Sequence, residues 1–262
     1  MKFKILGCGT SVGVPVPGCP CEICHSEDPR NRRLRASALL SIESSDNSRG
    51  SNIVIDTSPD LRQQSLRYGI THIESVLYTH AHADHILGMD DLRSFNFTSG
   101  VAIDCYGTSF TKSEISKVFH YIFSPQESYE GGLLTQIKWH NIEPGKPFNS
   151  CGVEFIPFAL KHGSTDVLGF RIGDLAYATD CNFIPDSSLN ILKGIKTLIL
   201  DGLRHEPHRT HFTIGEAVEI AKKIGAQKTY LTHMNHAVDY STLREELPNG
   251  IEPAYDGLEI EL

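Results

Sequence analysis

The sequence predicts an α/β protein built of layered sheets and helices. Three observations carry this: short apolar runs rich in strand formers recur along the whole chain, helical patterns fall between them, and no Pro- or Ser-rich linker divides the chain. One domain over residues 1–262 is the expected organisation, with no internal repeat or low-complexity tract.

In order, the run at 3–6 opens the chain as a strand and is soon broken by Gly, Cys and Pro. It is too short for a signal-peptide core or a membrane helix, so a cytoplasmic protein is expected. Strands follow at 38–42 and 53–55, joined through 44–51, a polar stretch read as a hairpin connection. A helix is expected over 61–68, a strand at 76–78, a helix at 87–95, a strand at 102–106 and a helix at 112–123. Residues 126–135 form a Gly-containing loop that could cover a site. Further strands are expected at 153–160, 168–172, 175–178, 198–200, 229–231 and 258–260, with helices at 214–224 and 242–247. Ser, Thr, Asp or Pro stands near several helix starts as a cap.

Hydrophobic residues make up 40% of the 262 and charged residues 21%, the composition of a soluble globular protein with a sizeable core. With 24 Lys and Arg against 32 Asp and Glu, the net charge of −8 argues against an extended nucleic-acid surface, although a small acidic ligand could bind locally. Seven cysteines, an odd number, point in a reducing compartment to metal or reactivity before disulfides.

The stretch 76–88, VLYTHAHADHILG, delivers His80, His82, Asp84 and His85 from the end of a strand. Imidazoles and carboxylates suit Zn, Fe or Mn, and four such groups exceed what one metal with an open position usually draws from a single loop. Two adjacent metals are therefore expected, and they demand further ligands from other strand ends. His162, Asp180 and His233 each follow an apolar run and supply them; His140 and Asp174 are alternatives to the first two.

HAHADH followed by a lone His, a lone Asp and a late His resembles the metallo-β-lactamase-fold hydrolases across essentially the whole chain. The resemblance implies an αββα sandwich of two mixed β-sheets flanked by helices, with a two-metal site at one sheet edge. It further implies that His80, His82 and His162 hold one metal, that Asp84, His85 and His233 hold the other, and that Asp180 and a hydroxide bridge them.

Near the N-terminus, Cys19, Cys21 and Cys24 lie in a Gly/Pro-rich loop at about 17–26 that has no helix or strand of its own. Three thiolates and one imidazole close a tetrahedral structural zinc, with His236 the better fourth ligand and His25 the alternative. GCGTSVGVPVPGCPCEIC with THAHADH and LTHMNH resembles the branch containing phosphoribosyl 1,2-cyclic phosphate phosphodiesterase of the carbon-phosphorus lyase pathway. Members of that branch pair a two-metal site with a Cys3His zinc. The pyrroloquinoline quinone biosynthesis protein also resembles it, but with a degraded metal motif, whereas HAHADH is intact here.

The expected activity is metal-dependent hydrolysis of a small cyclic phosphodiester by the bridging hydroxide, with two divalent cations, Mn or Zn. Asp84 and His211 are the expected catalytic residues. His211, 22 positions before His233 and just before the helix at 214–224, resembles the family's general acid; His205 and His208 are alternatives, and Arg204 and Arg209 could orient a phosphate. The family often pairs, which implies a homodimer. A transfer-RNA 3′-processing nuclease would add a basic Gly-rich arm, a glyoxalase-type thioesterase a helical C-terminal portion, and a secreted β-lactamase an export signal; none of these is visible. A metal-binding protein without turnover would have no need of an open two-metal site with an acid beside it.

Overall fold

In the computed structural model, which describes residues 1–43, 49–124 and 132–262, the strand-forming runs assemble into two seven-stranded sheets. The first contains, side by side, β14 (Glu259–Glu261), β1 (Lys2–Gly7), β2 (Ser37–Ile42), β3 (Ser51–Ile55), β4 (Ser75–Leu77), β5 (Ile103–Gly107) and β6 (Ile137–Asn141). The second contains β13 (Ile251–Pro253), β12 (Lys228–Thr232), β11 (Thr197–Asp201), β10 (Leu175–Ala178), β9 (Thr165–Ile172), β8 (Val153–His162) and β7 (Phe148–Ser150). Both sheets are mixed in the same way. From β14 to β3 neighbours run antiparallel and from β3 to β6 parallel; from β7 to β10 they run antiparallel and from β10 to β13 parallel. The topology of the two halves thus repeats although their sequences do not.

Period-two alternation decides what each strand buries. Phe3 and Ile5 of β1, Ala38 and Leu40 of β2, and Ile53 and Ile55 of β3 face the layer between the sheets, where they meet Phe155, Phe158, Leu160 and Phe170. The intervening Leu6, Leu39 and Val54 face the other way, into a separate apolar layer. That outer layer is covered by α1 (Leu61–Tyr68), α2 (Ala83–Ile86), α3 (Arg93–Ser99), α4 (Ser109–Val118) and α5 (His120–Phe123). Beyond the second sheet, α6 (Asp186–Ile191) packs on β8, α7 (Ile214–Ile224) on β11 and β12, and α8 (Tyr240–Glu246) on β13. The architecture is the αββα sandwich. Each fully buried Phe, Ile or Leu in it contributes about 1.5–3 kcal/mol.

Several boundaries differ from the sequence expectation. The helix expected over 87–95 is a 3-10 turn, Met89–Leu92, running into α3, which continues to Ser99. The helix expected over 112–123 starts earlier, because the Thr108 hydroxyl caps Thr111, and breaks at Phe119. Strands β6, β7 and β13 were not expected: all three are edge strands of only five, three and three residues, too short to establish a period. Residues 44–48 of the expected hairpin connection and 126–131 of the expected loop lie outside the described residues. No helix among the described residues is long and apolar enough to cross a membrane.

Candidate metal centre

The parallel strands β4, β11 and β12, together with β8 and β10, end along one rim of the sandwich. Just past Leu77 of β4 come Thr79 and His80; His82 then stands at the N-terminal boundary of α2 without a side-chain cap, and the single turn of α2 carries Asp84 and His85. Gly88 makes that turn fit: a Cβ there would stand 2.2 Å from the Ser58 carbonyl oxygen, and its N–H bonds Thr57. His162 is the last residue of β8, Asp180 follows β10, Asp201 ends β11 and His233 follows β12. His233 holds a left-handed φ of 60° and Asp56, just after β3, one of 61°, a conformation that non-glycine residues keep only where their surroundings impose it.

The rim gathers donor atoms into overlapping sets. His80, His82, His162 and Asp180 bring one ligand atom each within 4.8 Å of one another, and Asp84, His85, Asp180 and His233 do the same. Asp180 belongs to both, and to a third set with Asp201, His211 and His233. Its Oδ2 lies 3.2 Å from His85 Nε2, 3.2 Å from His233 Nε2 and 3.8 Å from His80 Nε2, while its Oδ1 accepts the Thr179 hydroxyl at 2.7 Å. The nitrogens His80 Nε2 and His233 Nε2 are buried without a hydrogen-bond partner among the described residues. Unpaired buried nitrogens are costly, and a shared cation is what such a set is fitted to hold.

A second layer aims the imidazoles. Asp56 accepts from His85 Nδ1 at 2.7 Å and from the Thr79 N–H and hydroxyl at 2.8 and 2.7 Å. His162 Nδ1 donates to the Thr210 carbonyl at 2.8 Å, and His80 Nδ1 lies 2.9 Å from the Thr79 hydroxyl. In each of these rings the outer nitrogen is engaged, which leaves Nε2 for the centre of the site.

Charge is unevenly spread. Burial, reinforced by the neighbouring His85 cation, holds His80 well below the ordinary imidazole range, and burial also lowers His162. On the other side, burial disfavours charge on His85 and His233. The surrounding carboxylates, led in both cases by Asp180, more than offset it, raising His85 well above its ordinary value and His233 to about 8. Asp84 and Asp180 are held far below the carboxylate range: burial raises them, but the adjacent imidazolium charges outweigh it. Without cations, protons supply the positive charge that the carboxylates require.

His211, in the loop before α7, stands at the edge of this cluster. Its Nδ1 donates to Asp201 Oδ2 at 2.7 Å, and its ring stacks on His233 with centroids 4.6 Å apart. Asp201 is fully buried and also accepts the Cys181 N–H at 2.8 Å. His205 points elsewhere, 3.6 Å from Glu246, and His208 is exposed, its ring 5.1 Å from that of His211. The Arg204 guanidinium is taken up by the carbonyls of Glu206 and Pro207, and Arg209 is exposed. The alternatives His140 and Asp174 belong to none of these donor sets and have other partners, Asp104 at 2.6 Å for His140 and Lys196 at 2.6 Å for Asp174.

A second donor set forms beside the first. Cys19, Cys21, Cys24 and His236 bring their ligand atoms together, with His236 Nδ1 3.3 Å from Cys19 Sγ and 3.5 Å from Cys21 Sγ. A tetrahedral zinc with its usual bond lengths puts sulfur and nitrogen corners roughly 3.5 Å apart. N–H groups of Cys24 and Val16 donate to the sulfurs of Cys21 and Cys24. The Cys24 N–H and then His236 pull the Cys21 thiol down to about 6, while burial pushes Cys24 up to about 11. His25, the other candidate, is exposed and bonds the Cys21 carbonyl.

The sequence reading passed over Asp56, Asp201, Thr79 and Thr210, which orient the ligands and His211 without joining the donor sets of the HAHADH motif. Asp56 and Asp201 could have been found as acids at the ends of the apolar runs NIVID and TLILD.

A family model described as the Beta-lactamase superfamily domain matches residues 51–234, which carry every candidate ligand from His80 to His233. The chain belongs to the metallo-β-lactamase-fold hydrolases. Among solved structures, one described as a new diphosphatase from the PhnP family is 40% identical, with a TM-score of 0.90, covering 100% of this chain and 97% of that one. Zn2+-bound PqqB from Methylobacterium extorquens shares the fold at 21% identity and a TM-score of 0.77, each chain covered over 100%. An octanoyltransferase of Porphyromonas gingivalis is 36% identical over 99% of this chain; the chain spans 51% of that protein's length.

Proposed function

We propose that this member of the family is a phosphodiesterase that hydrolyses a small cyclic phosphodiester of the phosphoribosyl 1,2-cyclic phosphate type. The observation that carries the reading is Asp180, shared by three donor sets, the third of which includes the buried Asp201–His211 pair. His80, His82 and His162 would hold one divalent cation, manganese or zinc, Asp84, His85 and His233 a second, and Asp180 both. Cations bound there supply a water acidified from 15.7 to about 7 in favourable cases, and positive charge for the phosphoryl oxygens.

The rest of the chemistry belongs to the chain's own groups. With Nδ1 committed to Asp201, His211 offers Nε2 to the reaction, in reach of a group held between His162 and His233, whose rings lie 4.6 Å from its own. From there it gives its proton to the leaving alkoxide as general acid. Asp201 fixes the tautomer and balances the imidazolium before the transfer. The Cys19, Cys21, Cys24 and His236 set would hold a structural zinc, tying the 17–26 loop to the chain three residues after His233.

Acyl transfer, the activity in the octanoyltransferase name, has less support. Cys181, next to Asp180, is fully buried, its thiol directed at the Ala178 carbonyl and pushed up by burial, so it is no nucleophile for the rim. The test is an assay of manganese-loaded protein on a ribose cyclic phosphate and on bis(p-nitrophenyl) phosphate. Turnover of the cyclic ester is expected, and no turnover of either ester would overturn the reading.

A further inference from the structure

Arg33 is the largest fully buried side chain among the described residues, 1% exposed, and neither donor cluster contains it. Its backbone is fixed to the N-terminal loop: the Val14 N–H donates to the Arg33 carbonyl and the Arg33 N–H to the Val14 carbonyl, both at 2.8 Å. A buried guanidinium usually stands against a carboxylate. Here the hydrogen bonds go to uncharged oxygens. Nη1 donates to the Asn235 carbonyl at 2.9 Å, and Nη2 to the Val238 carbonyl at 2.7 Å and the Asn31 side-chain oxygen at 3.0 Å; Nε has no partner among the described residues. Burying a charge on such partners is costly, and the planar fork of arginine, unlike an ammonium, spans two carbonyls at fixed geometry.

The two carbonyls bracket His236 and follow His233 by two and five residues. Between them the chain makes a tight turn: the Val238 N–H reaches the Asn235 carbonyl at 3.4 Å and the Ala237 N–H donates to Asn235 Oδ1 at 2.8 Å. Arg33 lies across the ends of that turn. On the other flank the Met234 N–H donates to the Cys8 carbonyl at 2.9 Å and the Thr10 N–H to the Met234 carbonyl at 3.3 Å, so the segment after His233 is held from both sides. His233 itself keeps its left-handed φ of 60° only under such constraint. His80 and His162, by contrast, are aimed by Thr79 and by the Thr210 carbonyl, and none of the Arg33 partners belongs to their segments.

We infer that Arg33 is a positioning residue for two metal stations at once: by gripping the Asn235 and Val238 carbonyls it sets His233 in its catalytic donor set and His236 in the cysteine set. The His80, His82 and His162 side is held independently of it. The inference rests on the cation ligands of the proposed function and is indifferent to the substrate. Arg33 touches no reacting group.

The experiment follows the histidine ring nitrogens of the full, zinc-loaded chain by NMR while a chelator competes for the metal, in wild type, Arg33→Met and Arg33→Lys. Arg33→Met removes both carbonyl contacts, whereas Arg33→Lys can keep one. In Arg33→Met the zinc-bound signals of His233 and His236 are expected to disappear at roughly tenfold less chelator than in wild type, those of His80 and His162 staying within about twofold, from the usual worth of groups that support a metal ligand. Arg33→Lys should fall between. Release of all these rings together, or release as in wild type, overturns the inference and leaves the phosphodiesterase reading intact. If Arg33→Met does not fold, the same pattern in Arg33→Lys decides. If the wild-type rings hold no zinc, the cation reading itself fails, and amide exchange then decides the role of Arg33: faster exchange at 233–238 than at 79–86 in the variants supports it, and an equal rise or none overturns it.

Discussion

At the scale of single residues, the site sets a proton donor beside the groups that would hold cations. His211 is buried, lies outside the two donor sets that contain the HAHADH residues and shares a third with Asp180, Asp201 and His233, where its outer nitrogen is committed to Asp201. His211→Ala is therefore expected to lower kcat by about 10²–10⁴-fold with the metal content unchanged, measured by steady-state kinetics and elemental analysis of the same preparation. Unchanged activity would move the acid to His208, whose ring lies 5.1 Å from that of His211. The charge on His233 gives a second expectation. A cation needs this imidazole neutral, but in the metal-free protein its pKa is raised from 6.5 to about 8, burial being outweighed chiefly by Asp180. The proton stabilises the metal-free fold fully below 6.5 and is lost as pH rises through 8. Cation binding should thus release protons near pH 7 and tighten from pH 6 to pH 8. Calorimetry in buffers of differing ionisation enthalpy reads the proton count, and an affinity independent of pH would contradict the account.

At the scale of elements, what was legible in the sequence is what short segments determine. HAHADH stands out because four ligands crowd onto one strand end and one helical turn, so local spacing alone makes the case. Asp56 and Asp201 did not stand out, since their role depends on which imidazole the fold brings within 2.7 Å of each. His162 ends β8 and His140 lies within β6; the pairing of β8 with β9 and of β6 with β5 puts one on the rim and the other against Asp104. The edge strands β6, β7 and β13 escaped notice because five, three and three residues are too few to establish a period. Helix α7 was read well, its start set by a reciprocal capping box between Thr213 and Glu216. Thr213→Ala should cost about 1 kcal/mol in denaturant unfolding. Because the cap lies two residues after His211, kcat should fall with it. In the Cys loop, Cys21→Ser should release one zinc per chain and raise hydrogen exchange in residues 8–25, while the sheet cores stay protected.

At the scale of the molecule, the candidate ligands come from both sheets. His80, His82, Asp84 and His85 follow β4 of the first; His162, Asp180 and His233 end or follow strands of the second. A cation at either donor set would therefore bridge the two halves of the sandwich, and its binding free energy would add to the stability of the whole. Loading to one hundred times the dissociation constant should stabilise the fold by about 2.7 kcal/mol. Chelation should lower Tm correspondingly, and the shift should vanish in Asp180→Ala. The fold class was readable from interleaved strands and helices. The matching of the two halves was not, since it resides in strand order and direction with no trace in residue identity.

The most direct test of the central claim is a titration of chelated protein with manganese, following cyclic phosphodiester hydrolysis against metal bound per chain. The account predicts that activity returns as about two cations bind, with a further zinc retained throughout on the cysteine loop. Full occupancy with no hydrolysis, or hydrolysis that persists in the chelated protein, would contradict it.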